Sequence, residues 1–197
     1  MSTSKENKKN NIIENALKLF SQKGFYNTTI PDIAKAMKMS VGNMYNYFTS
    51  KEELAKFAIK YSTNILADEL REVNNMDISS KEKIYMFVRK YLENVQKSPE
   101  VIEYFLRVYL SNREVFKQGC EGFLCVGEFV TEVMILLDDG AQKKEFREQE
   151  FFPAFGMIMG SLGGFAFLSG ENVLDKDLLS YSDAVAENIY RALKYDE

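Results

Sequence analysis

Between Ser40 and Phe48 the sequence SVGNMYNYF sets a small polar and aromatic group, Val41, Gly42, Asn43, Asn46 and Tyr47, against two large apolar residues, Met44 and Phe48. On helical spacing Met44 and Phe48, with Tyr45 in part, form a holding face and the others point away from it. A packing surface has no need of two asparagines, a glycine and a tyrosine on its outer side. Base pairs do suit such a set: a carboxamide donates to and accepts from adenine, valine meets a thymine methyl, glycine allows close backbone approach and a tyrosine hydroxyl reaches phosphate. Lys51, at the start of the next predicted helix, adds a point charge for a nucleic-acid backbone.

A helix this short is not stable alone, so neighbouring elements must hold it. From Asn11 the residues Ile13, Ala16, Leu17 and Phe20 recur at helical spacing, and Gly24 stands where a glycine would end that helix. Phe25 and Tyr26 then read as core plugs. Thr29 is a good N-cap for a second helix starting near Ile30, with Asp32 favouring its first turn and Pro31 tolerated there. Ile33, Ala34 and Met37 give that helix an inner face. Ser40 can cap the third, leaving residues 37 to 39 as the turn between them, which is helix-turn-helix spacing. Residues 1 to 10, polar and lysine-rich, are expected to be a flexible arm that touches a nucleic-acid backbone.

Charge supports a division of labour. Over residues 1 to 60 ten lysines face five acids, a net of +5, so the remainder carries -9 of the total of -4. An end that meets phosphate and an end that does not would look like this. The chain has no histidine, which excludes Ser-His-Asp, Cys-His and His-ligated zinc chemistry. Cys120 and Cys125 are too few for a disulfide framework and diverge by about 140° on a helix. No catalytic centre, metal or cofactor is expected. No apolar run is expected to reach the roughly 20 residues that cross a bilayer, so the chain reads as soluble and cytoplasmic.

The run LFSQKGFYNTTIPDIAKAM followed by SVGNMYNYFTSKEEL resembles the TetR family of one-component bacterial transcription regulators, most clearly over residues 12 to 54. The resemblance implies an all-α chain, with a three-helix DNA-binding domain over residues 1–50 and a larger effector-binding and dimerisation domain over residues 51–197. It assigns Thr29, Val41, Gly42, Asn43, Tyr45, Asn46, Tyr47 and Lys51 to the DNA surface, with Thr28 and Ser40 beside them. Two residues depart from the family pattern. Lys38 stands where a turn glycine is frequent and must accept a left-handed conformation at a cost of about 1 kcal/mol. Val41 replaces a frequent lysine, which removes a polar base contact.

Beyond Leu54 periodicity carries the reading, and it gives helices throughout. Leu54, Phe57, Ala58, Tyr61, Ile65 and Leu66 mark a long fourth helix; Ser79 or Ser80 caps a fifth; Pro99 opens a sixth. A seventh is expected from about Arg113 to Leu137, with Phe116, Cys120, Phe123, Val130 and Met134 on one face. Phe87, Tyr91, Tyr104, Phe105, Tyr109, Phe123, Phe155 and Met159 are the candidates for an effector pocket, an apolar or amphipathic small molecule being the ligand that similar bodies imply. Glu103, Glu128 and Glu132 would favour a cationic ligand if inward, and solvated faces are the plainer expectation for them.

In the segment FFPAFGMIMGSLGGFAFLSG, Gly156, Gly160 and Gly164 fall in one row with Gly163 beside them, a pattern that permits close helix approach. With Phe167, Tyr181, Val185 and Ile189 it resembles the family's four-helix dimer interface. The leading expectation is a homodimeric repressor on a palindromic double-stranded DNA operator, without a membrane. A head that binds a protein partner, or an enzyme acting on small molecules, remain the alternatives.

Overall fold

The computed structural model describes residues 4–104 and 126–195. Among them the elements are α1 (Ser4–Lys23), α2 (Ile30–Ala36), α3 (Val41–Tyr45), α4 (Lys51–Asn74), α5 (Ser80–Lys97), α6 (Pro99–Glu103), α7 (Gly127–Gln142), α8 (Phe151–Gly170) and α9 (Ser182–Leu193), the last preceded by a 3-10 turn at Leu178–Tyr181. An all-α chain is what the sequence led us to expect, and the described residues hold no strand beyond one isolated bridge between Phe146 and Lys194. Two compact units divide the chain, Met1–Thr63 with Glu100–Val126 and Asn64–Pro99 with Gly127–Glu197. The boundary therefore falls inside α4.

In the first unit, Ile12, Ala16, Leu17 and Phe20 of α1 are buried together with Ile33 and Ala34 of α2, Met44 of α3 and Leu54, Ala55 and Ala58 of α4. Gly24 ends α1 at φ 80°, its N–H reaching the Phe20 carbonyl at 2.9 Å. The flexible arm is corrected: α1 begins at Ser4. Lys9 explains why, since its ammonium lies 3.5 Å from the Phe57 ring centroid and 5.2 Å from that of Phe48, tying the first turns down by cation–π attraction. Phe25 is buried as expected, but Tyr26 is 68% exposed and only meets Phe25 edge-on, with centroids 5.4 Å apart.

In the second unit α5 packs against α7, α8 and α9. Ser79 caps α5 through a capping box, its hydroxyl accepting from the Glu82 N–H while the Glu82 carboxylate accepts from the Ser79 N–H. The α7 periodicity differs from expectation. Phe129, Val130, Val133, Leu136 and Leu137 are buried, whereas Met134 is exposed; Phe116, Cys120 and Phe123 lie outside the described residues. Glu132, expected on a solvated face, is buried and accepts from Arg71 Nε at 2.7 Å and Asn74 Nδ2 at 3.0 Å. Lys83 is buried too, donating to Asp139 and to the Asn74 carbonyl, each at 2.9 Å. Pairing lets both charges leave water.

The expectation on apolar run length is also corrected. By length and composition alone α8, at 20 residues with an 18-residue stretch of mean hydropathy 1.6, could cross a membrane. Its apolar character is two-sided: Ala154, Ile158, Leu162 and Ala166 are buried, while Phe152, Gly156, Gly160, Gly164 and Phe167 are exposed.

Candidate nucleic-acid interface

The helix-turn-helix is assembled by its caps. Thr29 accepts from the Asp32 N–H, and the Asp32 carboxylate accepts from both the Thr29 N–H (2.9 Å) and its hydroxyl (2.5 Å). Those bonds hold the Asp32 carboxyl below the ordinary carboxylate range. Lys38 turns the chain at φ 53°, the left-handed conformation expected of it. The Met39 N–H then reaches the Ala34 carbonyl at 2.8 Å, and Ser40 caps α3 by accepting from the Asn43 N–H at 3.2 Å. Met44 and the following Phe48 are each 1% exposed and anchor α3 from beneath.

On the other side of α3, Val41, Gly42, Asn43 and Asn46 are exposed and Tyr47 is half-exposed. Tyr45, expected to pack in part, is 51% exposed and joins them. A Cβ added at Gly42 would meet nothing within 4 Å, so this stretch of backbone is open to close approach. The two asparagine side chains are joined by one long bond, Asn46 Nδ2 to Asn43 Oδ1 at 3.4 Å. Thr29 and Ser40 are exposed at the adjoining helix starts.

Two of the expected contacts are placed otherwise. Thr28 is fully buried, its hydroxyl donating to the Gly24 carbonyl just past the end of α1 (2.8 Å), with the Leu19 carbonyl at 3.3 Å. It cannot face DNA. The Lys51 ammonium donates to the carbonyls of Phe25 (2.8 Å) and Thr28 (3.0 Å) and lies 4.3 Å from the Phe25 ring centroid, so it is engaged within its own unit. Sequence reasoning expected the lysine-rich start to touch a nucleic-acid backbone as a flexible arm, and missed only its form. Ser4, Lys5, Asn7, Lys8 and Asn11 stand on α1, where they line a shallow groove of about 620 Å³ with Tyr47.

The effector candidates separate. Phe87 and Tyr91 are buried in the second unit, where Phe129, which the sequence did not single out, bridges Phe87 (6.1 Å) and half-buried Phe155 (6.4 Å). Met159 is half-buried one turn along. Tyr104 belongs to the first unit, where it stacks on Phe20 at 5.6 Å and donates to the Ala55 carbonyl at 3.0 Å, a core role that removes it from the pocket set. Phe105, Tyr109 and Phe123 lie outside the described residues, and the Glu103 side chain is likewise not described. A separate open groove of about 940 Å³, lined by Thr131, Met134, Ile135 and Phe151 among others, contains none of the candidates.

Of the expected dimer residues, Gly156, Gly160, Gly164 and Phe167 are exposed along α8, with Gly163 half-buried. Tyr181 is half-buried, its hydroxyl donating to Asp175 and its ring beside Phe165. Val185 and Ile189 are corrected. At 2% and 1% exposure they are core residues of α9, the helix that packs against α5, and are not available to a partner.

Comparison with known proteins agrees with this geometry. Residues 12–57 match the family described as bacterial regulatory proteins, tetR family. The negative transcriptional regulator IcaR of the biofilm operon icaADBC from Staphylococcus epidermidis is 33% identical over 89 residues, 45% of this chain and 48% of that protein. The Staphylococcus aureus protein of the same description is 28% identical over 102 residues, 52% of each chain. The chain thus spans about half the length of the curated relatives it matches. Among solved structures, the fatty acid degradation regulator FadR from Bacillus halodurans is 21% identical with a TM-score of 0.82 over 100% of both chains. FadR from Bacillus subtilis, solved in complex with stearoyl-CoA, is 22% identical with a TM-score of 0.78 over 91% of this chain and 96% of that one. These likenesses show a shared fold.

Proposed function

We propose, on the premise that the chain belongs to the tetR family of bacterial regulatory proteins through residues 12–57, that it is a cytoplasmic, homodimeric transcriptional repressor released from a palindromic operator by a small amphipathic molecule. The observation that carries this reading is the outer face of α3. Val41, Gly42, Asn43, Asn46 and Tyr47 are open to solvent in full or in part, on a helix held from beneath by Met44 and Phe48. Asparagine and valine read base edges in the major groove, and the Tyr47 hydroxyl meets backbone phosphate. Two such helices in a dimer enter major grooves about 34 to 36 Å apart, or at a wider spacing.

The exposed glycine row of α8 supports a second copy as partner, because small residues allow two helices to approach closely. The cluster Phe87, Tyr91, Phe129, Phe155 and Met159 supports an apolar portion of the effector. A long-chain acyl-CoA is the first compound to try, since a protein of like fold was solved with stearoyl-CoA. Release follows if the effector favours a state whose heads fit the operator less well, and only to the extent of that preference.

A gel shift with the duplex upstream of the chain's own gene tests the reading. The expected result is a salt-sensitive, sequence-dependent complex that Asn43→Ala with Tyr47→Ala abolishes while the dimer persists, and that stearoyl-CoA dissociates. A wild-type protein that forms no such complex ends the DNA-binding reading. Failure of stearoyl-CoA alone ends only the choice of effector.

A further inference from the structure

We infer that the first turns of α1 form part of the DNA surface, with Lys5 and Lys8 binding backbone phosphates of the same duplex that α3 reads. This rests on the DNA-binding reading above and adds a contact from outside the helix-turn-helix. The groove of about 620 Å³ that carries it is lined by Ser4, Lys5, Asn7, Lys8, Asn11 and Tyr47. Every lining side chain offers a donor to an anion, in the form of two ammonium groups, two carboxamides and two hydroxyls. No carboxylate lines it, although Glu6 lies on the same turn.

Helical spacing explains the selection. Lys5, Lys8 and Asn11 follow one another at i+3 intervals along one side of α1, and Ser4 and Asn7 join that side at i+4 from Lys8 and Asn11. Lys9 falls on the neighbouring side and is held over Phe57 and Phe48. The lysines of KENKK therefore divide their work: Lys9 fixes the turn, and Lys5 and Lys8 are presented beside Tyr47. Since Tyr47 also borders the α3 face, a duplex seated on Asn43 and Asn46 brings a flanking phosphate strand to this groove. A phosphodiester contact positions the protein without reading sequence, and each one releases counterions.

The test is fluorescence anisotropy with the full chain, a labelled duplex from upstream of its gene and a scrambled duplex, across salt from about 50 to 300 mM. Lys5→Ala with Lys8→Ala is expected to make the slope of log affinity against log salt shallower by about 1.8 per protomer, and to weaken binding near 0.1 M salt by roughly tenfold or more. The loss should be equal on both duplexes, leaving their ratio unchanged. Lys5→Arg with Lys8→Arg should keep the wild-type slope. An unchanged slope in the alanine variant, or a loss confined to one duplex, overturns the inference while the DNA-binding reading stands. A wild-type protein with no salt-sensitive complex on either duplex overturns that reading itself.

Discussion

Lys51 ties two carbonyls of the segment after α1 to the start of α4, and a charged donor bonded this way stabilises by about 1.5 to 3 kcal/mol. Lys51→Met is expected to lower stability by about 2 kcal/mol in a urea melt, whereas Asn43→Ala, on the exposed face of α3, should stay within about 0.5 kcal/mol. A Lys51 variant that loses operator affinity with an unchanged melt would place the side chain on DNA instead. Lys38 offers the opposite sign. Its left-handed backbone is strained in a lysine, so Lys38→Gly should raise stability by about 1 kcal/mol in the same measurement. Such assignments were only partly legible. The sequence identified Thr29 as a cap because Asp32 stands three residues on, but nothing local distinguished its neighbour Thr28, whose partners are the carbonyls of Gly24 and Leu19 at the end of α1. Lys51 misled for a related reason: its acceptors lie more than twenty positions earlier in the chain.

Helices were legible wherever punctuation is local. Gly24, Thr29, Ser40 and Ser79 each mark the boundary they were expected to mark. Burial of charge was not, because Glu132 needs Arg71 and Lys83 needs Asp139, pairings that only the folded second unit brings together. Gly140 of α7 is another nonlocal requirement. A Cβ there would stand 2.1 Å from Phe146 Cδ2, so Gly140→Ala should destabilise by about 1 to 3 kcal/mol, read as a lower melting midpoint, despite alanine's better helix propensity. Between α5 and α9, Glu187 accepts from Tyr85 and Arg191, with Lys81 nearby, and its carboxyl falls from the ordinary 4.5 to about 2. A depressed pKa stabilises above the unfolded value and the contribution fades as pH falls through the folded one. Glu187→Gln should therefore reduce the loss of stability between about pH 4.5 and 2, measured by denaturation at stepped pH, and should leave behaviour above that window without this dependence.

At the scale of the molecule, α8 carries the sharpest test of assembly. Gly160 has open space where a Cβ would stand, so within one chain Gly160→Ala should stabilise the helix by about 1 kcal/mol. If a second copy packs there, the same change should shift sedimentation toward the monomer and weaken operator binding; a dimer of unchanged affinity would exclude this face as the interface. The glycine row was legible as a helix-approach motif, but Val185 and Ile189 were not separable from it by period alone, because α9 is apolar enough to serve either α5 or a partner. The head adds a consequence for evolution. Met44 and Phe48 carry the attachment of α3, while Val41, Gly42, Asn43 and Asn46 bear almost none of it. On the DNA-binding reading proposed above, recognition and folding are encoded in separate letters of one short word. Under that reading descendants of this protein would drift to new promoters by substituting the outer letters, passing through intermediates that remain folded, and a library randomised at those four positions should yield altered operator preferences with melting midpoints close to the parent's.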